Sequence, residues 1–228
     1  MMRIFGGSVA LLLVFASLTG AADPNKCSVK LASSEAPKEL AEPVRQLLSG
    51  QSLQVAEGDK VLWEIWLPKQ LTVKATGDEV QKGINYRKLE ESTILGVMRV
   101  NQAWNSFRKQ TIKPGLYTLR LGFQPMDGDH MGTAPFNEFL LLCPAADDKK
   151  AAILSHKDVT ELSGKSIPGG SHPAVLLLYP NLKPGDKPEL ANKGSGNWVL
   201  NWKTEVAAGG QKGVLGVGFT LFGATTAE

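Results

Sequence analysis

The 228-residue chain has little of several things that would narrow its chemistry. Two cysteines are too few for a disulfide-dense miniprotein. Neither charge sign dominates: 25 Lys+Arg stand against 22 Asp+Glu, a formal +3 without any basic block. That balance argues against a nucleic-acid-binding surface and against a polybasic membrane anchor. No phosphate-cradling Gly-rich loop or dinucleotide fingerprint occurs. The fragment Gly194-Ser195-Gly196 lacks the spacing and the strand-turn-helix setting of a nucleophile elbow. What is present is ordinary globular composition, 43% hydrophobic and 21% charged with 24 Gly and 13 Pro, which excludes disorder and collagen-like repeats.

The one greasy N-terminal run is short. Arg3 precedes apolar residues from Val9 to Leu18 and the small-residue exit Thr19-Gly20-Ala21-Ala22. These are the parts of a secretory signal peptide, and about ten apolar residues are roughly half of a bilayer span. Residues 1–22 therefore read as a signal peptide cleaved after Ala22, with a retained anchor as the alternative. Residues 23–228 read as a single secreted or periplasmic domain with no later transmembrane segment. Cys27 and Cys143 both survive cleavage. In an oxidising compartment an even pair reads as a disulfide, worth about 4–5 kcal/mol by loop entropy; the competing reading is two separate buried thiols.

Alternation at period two marks half-buried strands at Tyr117 to Phe123, Trp198 to Val206 and Leu215 to Leu221, each with one face on a core and the other near water. Continuously apolar runs at Val61 to Leu67, Thr93 to Val100, Phe136 to Cys143 and Ala174 to Tyr179 belong nearer the middle of sheets. Shorter candidates lie at Ser28 to Leu31, Gln51 to Ala56 and Leu71 to Ala75. Glu57-Gly58-Asp59, Lys113-Pro114-Gly115, Lys183-Pro184-Gly185-Asp186 and Ala208-Gly209-Gly210 are turn material. The pattern predicts an all-β, antiparallel β-sandwich of about ten strands with one or two short helices. Helix is expected at Glu42 to Ser49, and over Asp148 to Leu154 and Lys157 to Ser163. Residues 181–196 read as a long loop with little regular structure.

The densest polar cluster is Gln124 to Thr133, between two strands. Met126, Asp127, Asp129, His130 and Met131 offer thioethers, carboxylates and an imidazole within six residues. Soft Met with imidazole suits copper, and paired Asp suits Ca²⁺. His172, at the mouth of the strand from Ala174, completes a divalent-metal trio if its strand neighbours that of His130. The bland alternative is a loop whose Asp side chains bond local amides and whose Met side chains cap the core. His156 is expected to be solvated. Outside this metal reading no cofactor is expected, and no partner is identified.

Glu64 sits inside an apolar strand, where an acid is paired, edge-exposed or functional. An outward strand position is its plainer reading. Trp63 and Trp66 should point to opposite faces, leaving one exposed; Trp198 and Trp202 share a face with Leu200 and read as core. Trp104 is the best candidate for a surface aromatic that stacks on sugar, which keeps a carbohydrate-binding module in view.

The runs Ile112-Lys113-Pro114-Gly115-Leu116-Tyr117, Pro125-Met126-Asp127-Gly128-Asp129-His130-Met131-Gly132 and Phe136-Asn137-Glu138-Phe139-Leu140-Leu141-Leu142 resemble a set of secreted bacterial β-sandwich proteins of unknown function. His172-Pro173-Ala174-Val175-Leu176 is similar to a later segment of the same set. The resemblance covers most of residues 36–180 and implies no catalytic residue. The residues together read as a non-catalytic binding or structural module, with metal binding through residues 126–131 and carbohydrate binding as alternatives.

Overall fold

The computed structural model describes residues 22–125, 128, 132–169 and 172–225. The expected signal segment, apart from Ala22, lies outside them. In chain order the strands are β1 (Cys27–Ser33), β2 (Leu48–Glu57), β3 (Lys60–Pro68), β4 (Gln70–Thr72), β5 (Ile94–Val100), β6 (Trp104–Asn105), β7 (Thr111–Ile112), β8 (Gly115–Phe123), β9 (Glu138–Pro144), β10 (Val175–Leu177), β11 (Glu189–Asn192), β12 (Trp198–Ala208) and β13 (Gln211–Phe222). The helices are α1 (Glu42–Arg45), α2 (Gly77–Lys82) and α3 (His156–Gly164). The chain is thus mostly β. Each strand segment expected from the sequence overlaps a strand, although only Leu71 and Thr72 of the expected Leu71 to Ala75 belong to β4.

Seven strands form one antiparallel sheet in the order β1-β2-β3-β5-β8-β9-β10. A second sheet has the order β11-β12-β13, with β4 added in parallel along β12, and β6 and β7 pair separately. The chain passes between the sheets at Lys69, directly after β3, and again where Leu178 bridges Phe219 just beyond β10. Gly209 and Gly210, at φ +55° and +75°, make the two-residue turn that pairs Ala208 with Gln211. Consecutive left-handed residues match the twist of the flanking strands, and glycine adopts them without Cβ strain.

One core cluster contains side chains of both sheets: Leu53, Ile65, Met98 and Leu119 from the larger, Leu200, Val217 and Phe219 from the smaller. The opposite face of the larger sheet is covered too. Val44 of α1 packs with Trp66 and Val97, and Val159 of α3 packs with Leu141, Cys143 and Val175. This two-sided burial explains the continuously apolar runs at β3 and β9.

The covered outer face also corrects several expectations. Arg120, on the face of β8 expected near water, is fully buried, and its Nε and Nη2 bond both carboxylate oxygens of Asp148 at 2.7 and 2.8 Å. Ser92 O, Lys150 O and Ala152 O accept its remaining N–H groups. That use of Asp148 and of two backbone carbonyls holds residues 148–154 out of the expected helix; only α3 forms. Trp63 and Trp66 do face opposite ways, yet both are buried, at 1% and 2% exposure, because each face has its own cluster. Helix α1 ends at Arg45, short of Ser49, and β11 runs through the expected long loop. The expected Cys27–Cys143 disulfide is absent, and both thiols are free. β1 and β9 lie five strand positions apart in the sheet, roughly 24 Å, whereas a bridge needs Cα atoms within about 7 Å.

Candidate functional site

On the covered outer face, beside α3, a cleft of about 530 Å³ remains open. Its floor comes from three adjacent strands. Gly122 of β8 lies opposite Phe139 of β9, and Leu141 of β9 lies opposite Val175 of β10. Side chains two apart on a strand share a face, so Phe139 and Leu141 point the same way. Both, with Val175, keep 5–7% exposure, while Leu140, Leu142 and Leu176 on the inner face keep none. Gly122 supplies no side chain, and a Cβ there would press on the Leu141 side chain at 3.1–3.4 Å. The floor is therefore apolar and shaped in part by an absent side chain.

The walls are loops tied to each other by hydrogen bonds. The turn at residues 106–110 is closed by Ser106 N to Gln110 O at 2.9 Å and Lys109 N to Ser106 O at 2.8 Å, with Lys109 at φ +60°. A left-handed lysine costs about 1–2 kcal/mol relative to an ordinary backbone. Gln110 Nε2 donates to Pro173 O at 2.9 Å, which joins this turn to the His172-Pro173 segment. Thr225 N donates to Phe107 O at 2.8 Å and Thr225 Oγ1 to Thr133 O at 2.7 Å, so the C-terminal segment clamps two walls together. Gln124 Nε2 donates to Thr133 Oγ1 at 2.8 Å.

Charge sits on the rim. Arg108 and Lys109 are exposed there, and neither has an ion-pair partner among the described residues. Glu91, a lining carboxylate, lies 2.8 Å from His156 Nδ1 at the start of α3. The helix begins there because Ser155 accepts from Asp158 N at 3.2 Å. His156 is exposed, as expected, and among the described residues Glu91 is its hydrogen-bond partner. His172 lines the same cleft.

Met126, Asp127, Asp129, His130 and Met131 lie outside the described residues. The residues that bracket them, Pro125 and Thr133, line the cleft together with His172. Among the described residues no three His, Cys, Asp or Glu side chains gather as a metal site. Glu64 is half-buried and hydrogen-bonded, accepting from Ser52 Oγ at 2.7 Å and Gln54 Nε2 at 3.0 Å. Ser195 stands exposed at φ +50° in the loop before β12.

Trp104 is half-buried against the main core. Its indole N–H donates to Leu221 O at 2.7 Å and its ring meets Trp63 edge-on at 5.7 Å. Trp202 is half-buried on the same core, and no aromatic ring is fully exposed among the described residues. Neither thiol belongs to the cleft. Burial pushes Cys143 up to about 12 and Cys27 up to about 11, the reverse of what activates a cysteine.

Of the candidates read from the sequence, His172 and the described ends of the polar segment, Gln124, Pro125 and Thr133, line this cleft, whereas Arg108, Lys109 and the floor were missed. The pair Arg108-Lys109 was visible as two adjacent cations beside Trp104. The floor was not, because its members come from three strands whose pairing the sequence leaves open. No family model, curated protein or solved structure matches this chain.

Proposed function

We propose that the chain is a secreted or periplasmic, non-catalytic binding module of β-sandwich architecture, whose ligand occupies the cleft between α3, the 106–110 turn and β8–β10. The core shared by the two sheets supports the sandwich reading. The observation that carries the binding reading is the cleft itself: about 530 Å³, an apolar floor and a polar, hydrogen-bonded rim. Small-molecule sites fall in this size range and combine apolar walls with a few placed polar groups. Its concave shape suits a compact ligand more than a polymer laid on flat aromatic rings, so the carbohydrate reading ranks below it.

The test is calorimetric titration of 1-hexanol, a compact amphipathic probe, into the protein and into Val175→Phe. The larger side chain fills the floor without touching a rim charge. Saturable binding that weakens at least tenfold in the variant is expected; binding unchanged by the substitution overturns the assignment of this cleft.

A second reading has its own observation, since His172 shares the cleft with the two residues that bracket the Met/Asp/His-rich segment. It makes the protein a metal binder using His130 and His172 with Asp127, Asp129, Met126 or Met131, for copper or a divalent ion. Metal analysis of protein purified without tag or chelator, repeated on His130→Ala and His172→Ala, decides it. Near-stoichiometric metal lost in both variants supports the reading; metal-free protein with a melting temperature unmoved by copper, zinc or calcium removes it.

A further inference from the structure

We infer that the ligand of this cleft is an amphipathic anion, with its apolar body on Phe139, Leu141 and Val175 and its negative head at Arg108 and Lys109. The inference rests on the cleft being the binding site and adds the ligand's chemical class. Among the described lining residues the cations are Arg108 and Lys109, and the carboxylate is Glu91, already engaged with His156 at 2.8 Å. Among the described lining residues the unpaired positive charge is therefore that of Arg108 and Lys109, both exposed. An anion there gains charge-assisted hydrogen bonds that a neutral molecule of the same shape does not. The guanidinium of Arg108 presents a planar fork suited to a carboxylate or sulfonate.

The backbone supports the same assignment. Lys109 holds a left-handed φ of +60° that glycine would adopt without strain, and strained residues that persist in a fold cluster at ligand clamps. The floor, by contrast, presents the apolar side chains of Phe139, Leu141 and Val175 and the bare Cα of Gly122, a surface that suits an apolar ligand body.

The experiment compares hexanoate with 1-hexanol, equal in length and differing in charge, by calorimetry at 20 mM and 300 mM NaCl. It uses the intact protein and an Arg108→Gln/Lys109→Gly double variant. Both substituted positions are exposed and glycine fits the turn, so the variant keeps the fold, which its melting curve verifies. The expected result is hexanoate bound about tenfold more tightly than hexanol at low salt. The preference should shrink to within about twofold in the variant and at high salt, while hexanol binding stays constant. Equal affinity for the two probes in the intact protein overturns the anion assignment and leaves the cleft as the site. Failure of both probes to bind overturns the cleft reading and this inference together.

Discussion

At the scale of single residues, one tyrosine shows how the sheets are held in place. The Tyr86 hydroxyl donates to Tyr179 O at 2.9 Å and accepts from Gly218 N at 2.8 Å. It pins the segment leaving β10 onto β13. Gly218 makes this approach possible, because a Cβ there would come within 2.7 Å of Tyr179 O. Tyr86→Phe leaves a buried carbonyl and a buried N–H without that partner, so we expect a loss of about 1–3 kcal/mol in denaturant melts at neutral pH. Burial raises the phenol above its ordinary value of 10.0, which means the folded state favours the neutral form. Its contribution is complete below pH 10 and is lost as pH rises beyond it. The native protein should accordingly lose more stability than the Phe variant between pH 8 and pH 11; equal losses would contradict this role.

At the scale of elements, the sequence was most informative where one physical rule acted alone. Alternation located β8, β12 and β13, and paired glycines located the β12–β13 turn. It was least informative where a distant partner intervened. Residues 148–154 have helical composition, yet Asp148 is the counter-ion of Arg120 and the carbonyls of Lys150 and Ala152 face its guanidinium. Nothing in the local sequence announces that partner, 28 residues earlier. Helix α2 is the opposite case. Its start is a capping box in which Thr76 Oγ1 accepts from Glu79 N while Glu79 bonds Thr76 N, a Thr-x-x-Glu signal legible in the sequence and overlooked. The Arg120–Asp148 pair gives a further prediction. Arg120→Met strands a buried carboxylate and should cost about 3–5 kcal/mol, whereas Arg120→Met with Asp148→Leu should recover most of that loss. A double variant no more stable than the single one would show that the pair does more than neutralise itself.

At the scale of the whole molecule, the expected all-β class and the ten strand segments were legible because hydrophobic period survives any topology. The order of the strands was not, and three misreadings follow from it. Cys27 and Cys143 were paired on compartment logic, although the sheet order places them five strands apart. One of Trp63 and Trp66 was expected on a bare face, although each face has its own cluster and both are buried. Of the cleft, the sequence singled out only His172 and the described ends of the 124–133 segment, because the floor is assembled from β8, β9 and β10. The same sheet order lets binding at the outer face of these strands be measured directly. Strands β9 and β10 carry Leu141 and Val175 on the cleft side and Leu140, Leu142 and Leu176 on the inner side, within the same few residues. Methyl NMR spectra of the protein titrated with hexanoate read the two faces at once. Saturable shifts are expected at Leu141 and Val175 with Leu140, Leu142 and Leu176 left in place; shifts spread equally over both faces, or none at either, would show that the outer face is not the ligand site.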